Sequence, residues 1–204
     1  MEQVKAKARE EGRIPTAQEV YREIKKPHVA QNSGETEWYT PLEFIEAARA
    51  VMGGIDCDPA SSLAANRIVK ATKIYTVEQD GRGQEWGPRV FMNPPYSQPL
   101  IAEFSEAIAS RIESGKVEEA CVLVNNATET AWFQRMMVVA TAVAFIKGRI
   151  QFLDMNGNPV RAPLQGQCVL YFGENKERFY KEFIRNVINN CTFSVWGLFP
   201  KPHW

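Results

Sequence analysis

From Trp38 onward, short apolar runs alternate with stretches of helical period, and most apolar runs end in a polar loop. This alternation constrains the fold more than any other feature of the chain. A strand can return to its own sheet through a helix only by a crossover, and crossover-linked strands lie parallel. "YTPLEFIEAARAVMGG" reads as a helix in which Thr40 caps, Pro41 sits in the first turn, Glu43 completes the box and Gly53-Gly54 stop it. "GIDCD" reads as a strand, "SSLAANRIVKA" as a helix opened by Ser61 or Ser62, and "KIYTV" and "RVFMN" as further strands. "QPLIAEFSEAIASRIESG" places Leu100, Phe104, Ile108 and Ile112 on one helical face. "ACVLVNN" is a buried strand, "TETAWFQRMMVV" a helix and "TAVAFI" another apolar run. "GRIQFLDMNGNPV" suggests a hairpin turning at Asn156-Gly157, followed by a strand "QGQCVLYF", an amphipathic helix "KERFYKEFIRNVI" and a last strand "CTFSVWGLF". The expectation is an α/β fold with a mostly parallel sheet, helices on both faces and an antiparallel edge.

Residues 1–35 differ in composition. They are highly charged and poor in large apolar residues, and Thr16 with Glu19 forms a capping box for one helix. They read as a charged helical arm, leaving 36–204 as the main domain. The 204 residues carry 24 Lys and Arg against 24 Asp and Glu, so no global field draws the protein to nucleic acid, and any such surface needs local segregation of charge. No apolar run approaches the roughly 20 residues a membrane helix needs, and the polar start is unlike a secretory signal. Cys57, Cys121, Cys168 and Cys191 have no metal-ligand spacing and read as reduced core residues of a cytosolic protein. The two histidines, His28 and His203, lie in the arm and beside the terminus.

In open α/β sheets ligands bind beyond the carboxyl ends of the strands. Here those ends lead into "DPASS", "VEQDG", "NPPYS" and "NNATET". The third can act on a nucleobase amine, whose nitrogen lone pair is delocalised into the ring. Two acceptors taking its two N–H bonds draw the nitrogen toward tetrahedral geometry and free the lone pair. Asn93 offers an amide carbonyl that stays unprotonated, and Pro94 offers a backbone carbonyl made rigid by Pro95. Both stabilise developing positive charge as fixed dipoles rather than as bases. Tyr96 offers a face on which a base can stack. A base inside a duplex cannot reach such a pocket unless it is flipped out.

"NPPY" after an apolar strand resembles the signature of amino-methyltransferases that use S-adenosylmethionine. The ordered set "SGETEWYTPLEFIEAA", "IDCDPASSLAANRIV", "YTVEQDGRGQEWGPRVFMNPPYSQP", "NNATETAWF" and "IKGRIQF" resembles the phage-type DNA N6-adenine methyltransferases over about residues 33–172. The resemblance implies a Rossmann-like methyltransferase fold in a cytoplasmic, phage- or prophage-encoded enzyme of a bacterial cell. It further implies S-adenosyl-L-methionine as cofactor, no metal, and double-stranded DNA with a flipped adenine as substrate. It matches Asn93, Pro94, Pro95 and Tyr96 to the catalytic segment, with Tyr96 also meeting the base. Thr40 and Pro41 match the segment lining the methionine end of the cofactor, and Asp58, Pro59 and Ala60 the first cofactor motif. Asp80 matches an acidic cofactor residue that meets either the adenine or the ribose. The chain departs from the pattern in two ways. "DPASSLAAN" replaces the usual Gly-x-Gly, and one strand, where two are usual, lies in the roughly 35 residues between Asp58 and Asn93.

Arg135, Lys147, Arg149 and Arg161 make residues 135–161 locally basic, with Arg149 a candidate for phosphate and Phe152 for flanking the extruded base. Cytosine-N4 in DNA and adenine in RNA are the neighbouring enzymatic readings. A non-catalytic nucleic-acid-binding module on the same fold is the reading from another class.

Overall fold

The computed structural model describes Gly12 and residues 38–154, 158–160 and 165–186. The expected N-terminal arm, the Asn156-Gly157 tip, Arg161 and the strand expected over 191–199 lie outside the described residues. Helix α1 (Leu42–Met52) buries Phe44, Ile45, Ala47, Ala48, Val51 and Met52 along one face. Gly53 ends it in left-handed backbone, φ 74°, which costs a glycine nothing. Its start differs from the expectation: Pro41 is the cap residue and no side chain caps the helix. Thr40 thus lies one position too early, and its hydroxyl instead accepts from Asn93 Nδ2 at 3.3 Å.

Strand β1 (Cys57–Asp58) is followed by α2 (Asn66–Val69), a single turn where a longer helix was expected. Local polar bonds use up the rest of that segment. Ser62 Oγ accepts from the Ala65 amide at 3.1 Å, and the Asn66 side chain bonds both backbone groups of Ala71 at 2.8 and 3.2 Å. Strand β2 (Lys73–Ile74) and a 3-10 turn (Gly81–Gly83) lead to β3 (Arg89–Met92). Then come α3 (Leu100–Glu113), β4 (Glu119–Asn125), α4 (Ala131–Val139), β5 (Ala142–Phe145) and β6 (Gln167–Phe172). Helix α5 (Lys176–Phe179) continues as a π-helical turn over Tyr180–Asn186.

The strands form one sheet in the order β2-β1-β3-β4-β6-β5. β2, β1, β3 and β4 are mutually parallel, while β6 pairs antiparallel with both β4 and β5. Side chains divide with period two. Phe91, Cys121, Leu123, Val169 and Tyr171 join the α1 and α5 layer, and Val90, Met92, Val122, Val124, Leu170 and Phe172 join the α3 and α4 layer. Cys57, Cys121 and Cys168 are buried free thiols within these layers. In the second layer Arg135 on α4 bonds Glu106 at 2.8 Å and Glu113 at 2.7 Å on α3. Its hydrogen bonds hold Glu106 down at about 2. The guanidinium counted among the basic residues of 135–161 is therefore committed to a helix seam.

At the amino ends of the central strands, Asp56 accepts two bonds from the Arg89 guanidinium, 2.8 and 2.7 Å, and a third from the Arg89 amide at 3.1 Å. Arg89 holds the Asp56 carboxyl below its usual range, the side-chain bond being the largest cause. A side chain at Gly87 would strike Asp56 Cβ at 2.6 Å, so a glycine stands where the two strands come together.

At the other end of the strands Gly81 is buried against the Asp58-Pro59 loop, where a Cβ would lie 2.0 Å from the Pro59 carbonyl oxygen. Backbone has to move to relieve that contact. Gly81→Ala should therefore destabilise the protein by about 1–3 kcal/mol in denaturant titration; an unchanged midpoint would show that the two loops can part freely.

Candidate active site

The chain runs from β1 outward to β2 and then crosses back to β3 on the other side of β1. The strand order therefore reverses between β1 and β3, and beyond their carboxyl ends lies the crevice in which such sheets bind ligands. Asp58 ends β1 and Asn93 directly follows β3. Both line a cavity of about 60 Å³ with Thr40, Ala60, Trp38, Tyr39, Phe91 and a floor that includes Ile45 and Ile68.

Asp58 is 3% exposed and accepts from the Ala60 amide at 3.2 Å. Burial pushes its carboxyl up to about 6, against the opposing effect of the Ser61 hydroxyl and the Ala60 amide. Asn93 is half-buried, with Nδ2 spent on Thr40, and its carbonyl oxygen lies on the side of Tyr96, whose hydroxyl donates to it at 3.4 Å. The same hydroxyl lies 3.4 Å from the Leu123 carbonyl. Burial of that end raises the phenol above its ordinary value, while the residue as a whole is 38% exposed. Pro94 is buried and Pro95 exposed, so the loop is anchored at one ring and solvated at the next. Pro41 and Pro59 are buried, and neither lines the cavity.

Three other expected residues stand elsewhere. Asp80 is exposed, at φ 48°, and caps the 3-10 turn with its carboxylate held by Arg82 Nε and NH2 at 2.6 and 2.7 Å. Its loop still lies against Pro59 through Gly81. Arg149 is exposed, on the segment leading to the hairpin. Phe152 is 3% exposed and packs on the Trp38 ring, centroids 5.7 Å apart, so it faces the core rather than solvent.

Trp38 and Tyr39 are the wall residues that sequence reasoning passed over. Tyr39 exchanges both backbone bonds with Leu153, at 2.9 and 3.0 Å, which straps the wall to the hairpin flank. Two aromatics immediately before a helix start were the available signal. Among the described residues no group of His, Cys, Asp and Glu side chains is placed to hold a metal ion.

A parallel sheet with its cavity at the switch point and one antiparallel strand inserted between β4 and β5 has the architecture of the Rossmann-like methyltransferases. A family model for DNA N-6-adenine-methyltransferase (Dam) matches residues 28–190, most of the chain, and the protein belongs to that family. It is thus a DNA adenine methyltransferase in general class. No curated protein and no solved structure matches the chain. No helix among the described residues is long and apolar enough to cross a membrane.

The raised pKa of Asp58 has a stability consequence. A carboxyl that titrates near 6 when folded and near 3.8 when unfolded weakens the fold above both values. Asp58→Asn should raise stability by on the order of 2–3 kcal/mol at pH 8. The gain should shrink as pH falls from 6 to 4, in thermal melts across that range. A gain independent of pH would show that Asp58 is not the titrating group.

Proposed function

We propose that this protein transfers a methyl group from S-adenosylmethionine to the exocyclic amine of an adenine flipped out of DNA. The observation that carries the reading is the setting of Asn93. Its amide nitrogen is tied to Thr40 in the cavity wall, which leaves the carbonyl oxygen as the accepting end of the amide, with a long 3.4 Å bond from the Tyr96 hydroxyl. An adenine stacked on Tyr96 would present its amine to that carbonyl and to the backbone carbonyl of Pro94. The two acceptors take the two N–H bonds and stabilise the positive charge that grows on nitrogen. Neither has to change protonation state.

The residues of the cavity suit the cofactor. Asp58 is a buried acceptor with no cation beside it, Ala60 leaves room for close approach, and the buried Trp38 Nε1 has no hydrogen-bond partner among the described residues. S-adenosylmethionine supplies, when bound, an electrophilic methyl carbon on a sulfonium. Thr40, Pro41, Asp58, Pro59 and Ala60 would hold it. Asp80, whose loop lies on Pro59, is the acceptor proposed for its nucleoside end, with Arg82 sharing the carboxylate. Arg149 is proposed for a DNA phosphate.

Incubation with labelled S-adenosylmethionine and unmethylated DNA, then nucleoside mass spectrometry, should yield N6-methyladenine. Asn93→Ala should lower the rate by about 100-fold or more, with calorimetric cofactor binding largely kept. Full activity in that variant would remove Asn93 from the chemistry, and N4-methylcytosine as the product would change the substrate.

A further inference from the structure

Gln167, at the start of β6, is completely buried, and its side-chain amide is engaged at both ends. Nε2 donates to Asn125 Oδ1 at 3.1 Å and to the Gln165 carbonyl at 2.7 Å, while Oε1 accepts from the Ile150 amide at 3.3 Å. The opposite placement of the amide would set N–H against N–H and oxygen against oxygen, so its partners fix its orientation. The main chain of the same residue is also used. Its carbonyl accepts from the Ile146 amide at 3.0 Å.

Residues 146–150 therefore leave and return to a single residue. The turn they form carries Lys147 and Arg149, both exposed, on either side of Gly148, whose φ of 77° lies in the left-handed region that favours glycine. Ile146 is bonded to the main chain of Gln167 and Ile150 to its side chain, so the turn is closed at both ends. Through Asn125 the same amide fastens the turn to the carboxyl end of β4, the strand whose Leu123 carbonyl lies 3.4 Å from the Tyr96 hydroxyl. An apolar side chain of similar length would deprive the buried Ile150 amide of this acceptor, which is costly, and would leave the turn held at its Ile146 end alone.

We infer that Gln167 is a positioning residue for DNA: it closes the 146–150 turn, so that Lys147 and Arg149 meet the phosphate backbone from a fixed place at the end of β4. The inference rests on the DNA reading given above and adds Lys147 as a second contact and the residue that aims both cations.

Fluorescence anisotropy of the full chain on an unmethylated DNA duplex, repeated across salt concentrations, tests it. Each phosphate contact releases counterions, so the logarithm of affinity falls with the logarithm of salt by about 0.9 per contact. Gln167→Met should lower this slope by about 1–2, because it misplaces both cations, and Arg149→Ala should lower it by about 1. Adding Arg149→Ala to Gln167→Met should lower it no further. A plain loss of folded protein reduces binding alike at every salt concentration and leaves the slope unchanged. A Gln167→Met protein with the wild-type slope, or a double variant whose slope falls by the sum of the two, would overturn the assignment. Gln167→Glu is nearly isosteric and replaces Gln167→Met if that variant does not fold. It loses donors toward Asn125 and Gln165, and its slope should fall with the same non-additivity, full additivity again counting against the role. Arg149→Ala with the wild-type slope, on DNA that the protein binds, would refute the phosphate contact and this inference with it. Wild-type protein that does not bind the duplex would refute the DNA reading itself.

Discussion

The pairing of Asp56 with Arg89 is the constraint on which the site depends. β1 is two residues long and meets β3 through one paired position, Cys57 with Val90, so the ladder alone gives little to fix their register. Three bonds from Arg89 to one carboxylate, together with the Asp56 amide bonded to the Arg89 carbonyl at 2.9 Å, supply that definition at the amino ends of both strands. A slip of one residue would turn Asp58 to the opposite face of the sheet. The ion pair thus sits away from the cavity and still determines that Asp58 and Asn93 emerge side by side. The fixed dipoles of the Asn93–Tyr96 loop are useful only if that placement is kept.

The site divides into two chemically different halves. Around Asn93 and Tyr96 the polar groups are neutral amide and phenol, bonded to one another and to Thr40 and the Leu123 carbonyl. Such a set is preorganised, because none of its members has to gain or lose a proton. The cofactor side proposed above contains the buried carboxyl of Asp58 and the unpartnered donor of Trp38. Buried polar groups without partners cost stability, and that cost is what supports the cofactor reading proposed for this half.

Much of the fold was legible before any coordinates. The continuous apolar run of "ACVLVNN" and the helical face of "QPLIAEFSEAIASRIESG" correspond to β4 and α3, and the alternation of strands with helices correctly indicated a parallel sheet with antiparallel pairing at one side. The loop rule led to Asp58 and Asn93, and both line the cavity. Local patterns failed where a distant partner competes. Thr40 has the look of a helix cap, yet Asn93, remote in sequence, takes its hydroxyl. Arg135 has the look of a free surface cation, yet two glutamates of α3 hold it. Phe152 is expected from the sequence to flank an extruded base, whereas tertiary packing buries its ring against Trp38. Trp38 itself carries no motif, since an unsatisfied N–H is visible only once its surroundings are known.

The short connection between Asp58 and Asn93 affects more than the cofactor side. With β2 as the single strand in that span, the sheet formed by the described residues ends at a two-residue edge next to β1. An open edge invites strands from other molecules. Here the outward residue is Lys73, exposed, with Nζ bonded to the Glu85 carbonyl at 3.0 Å and seated 5.0 Å from the Tyr75 ring centroid. A charged residue fastened across so brief an edge gives an incoming strand almost no ladder to extend. The economy of one strand is thereby matched by a safeguard against aggregation.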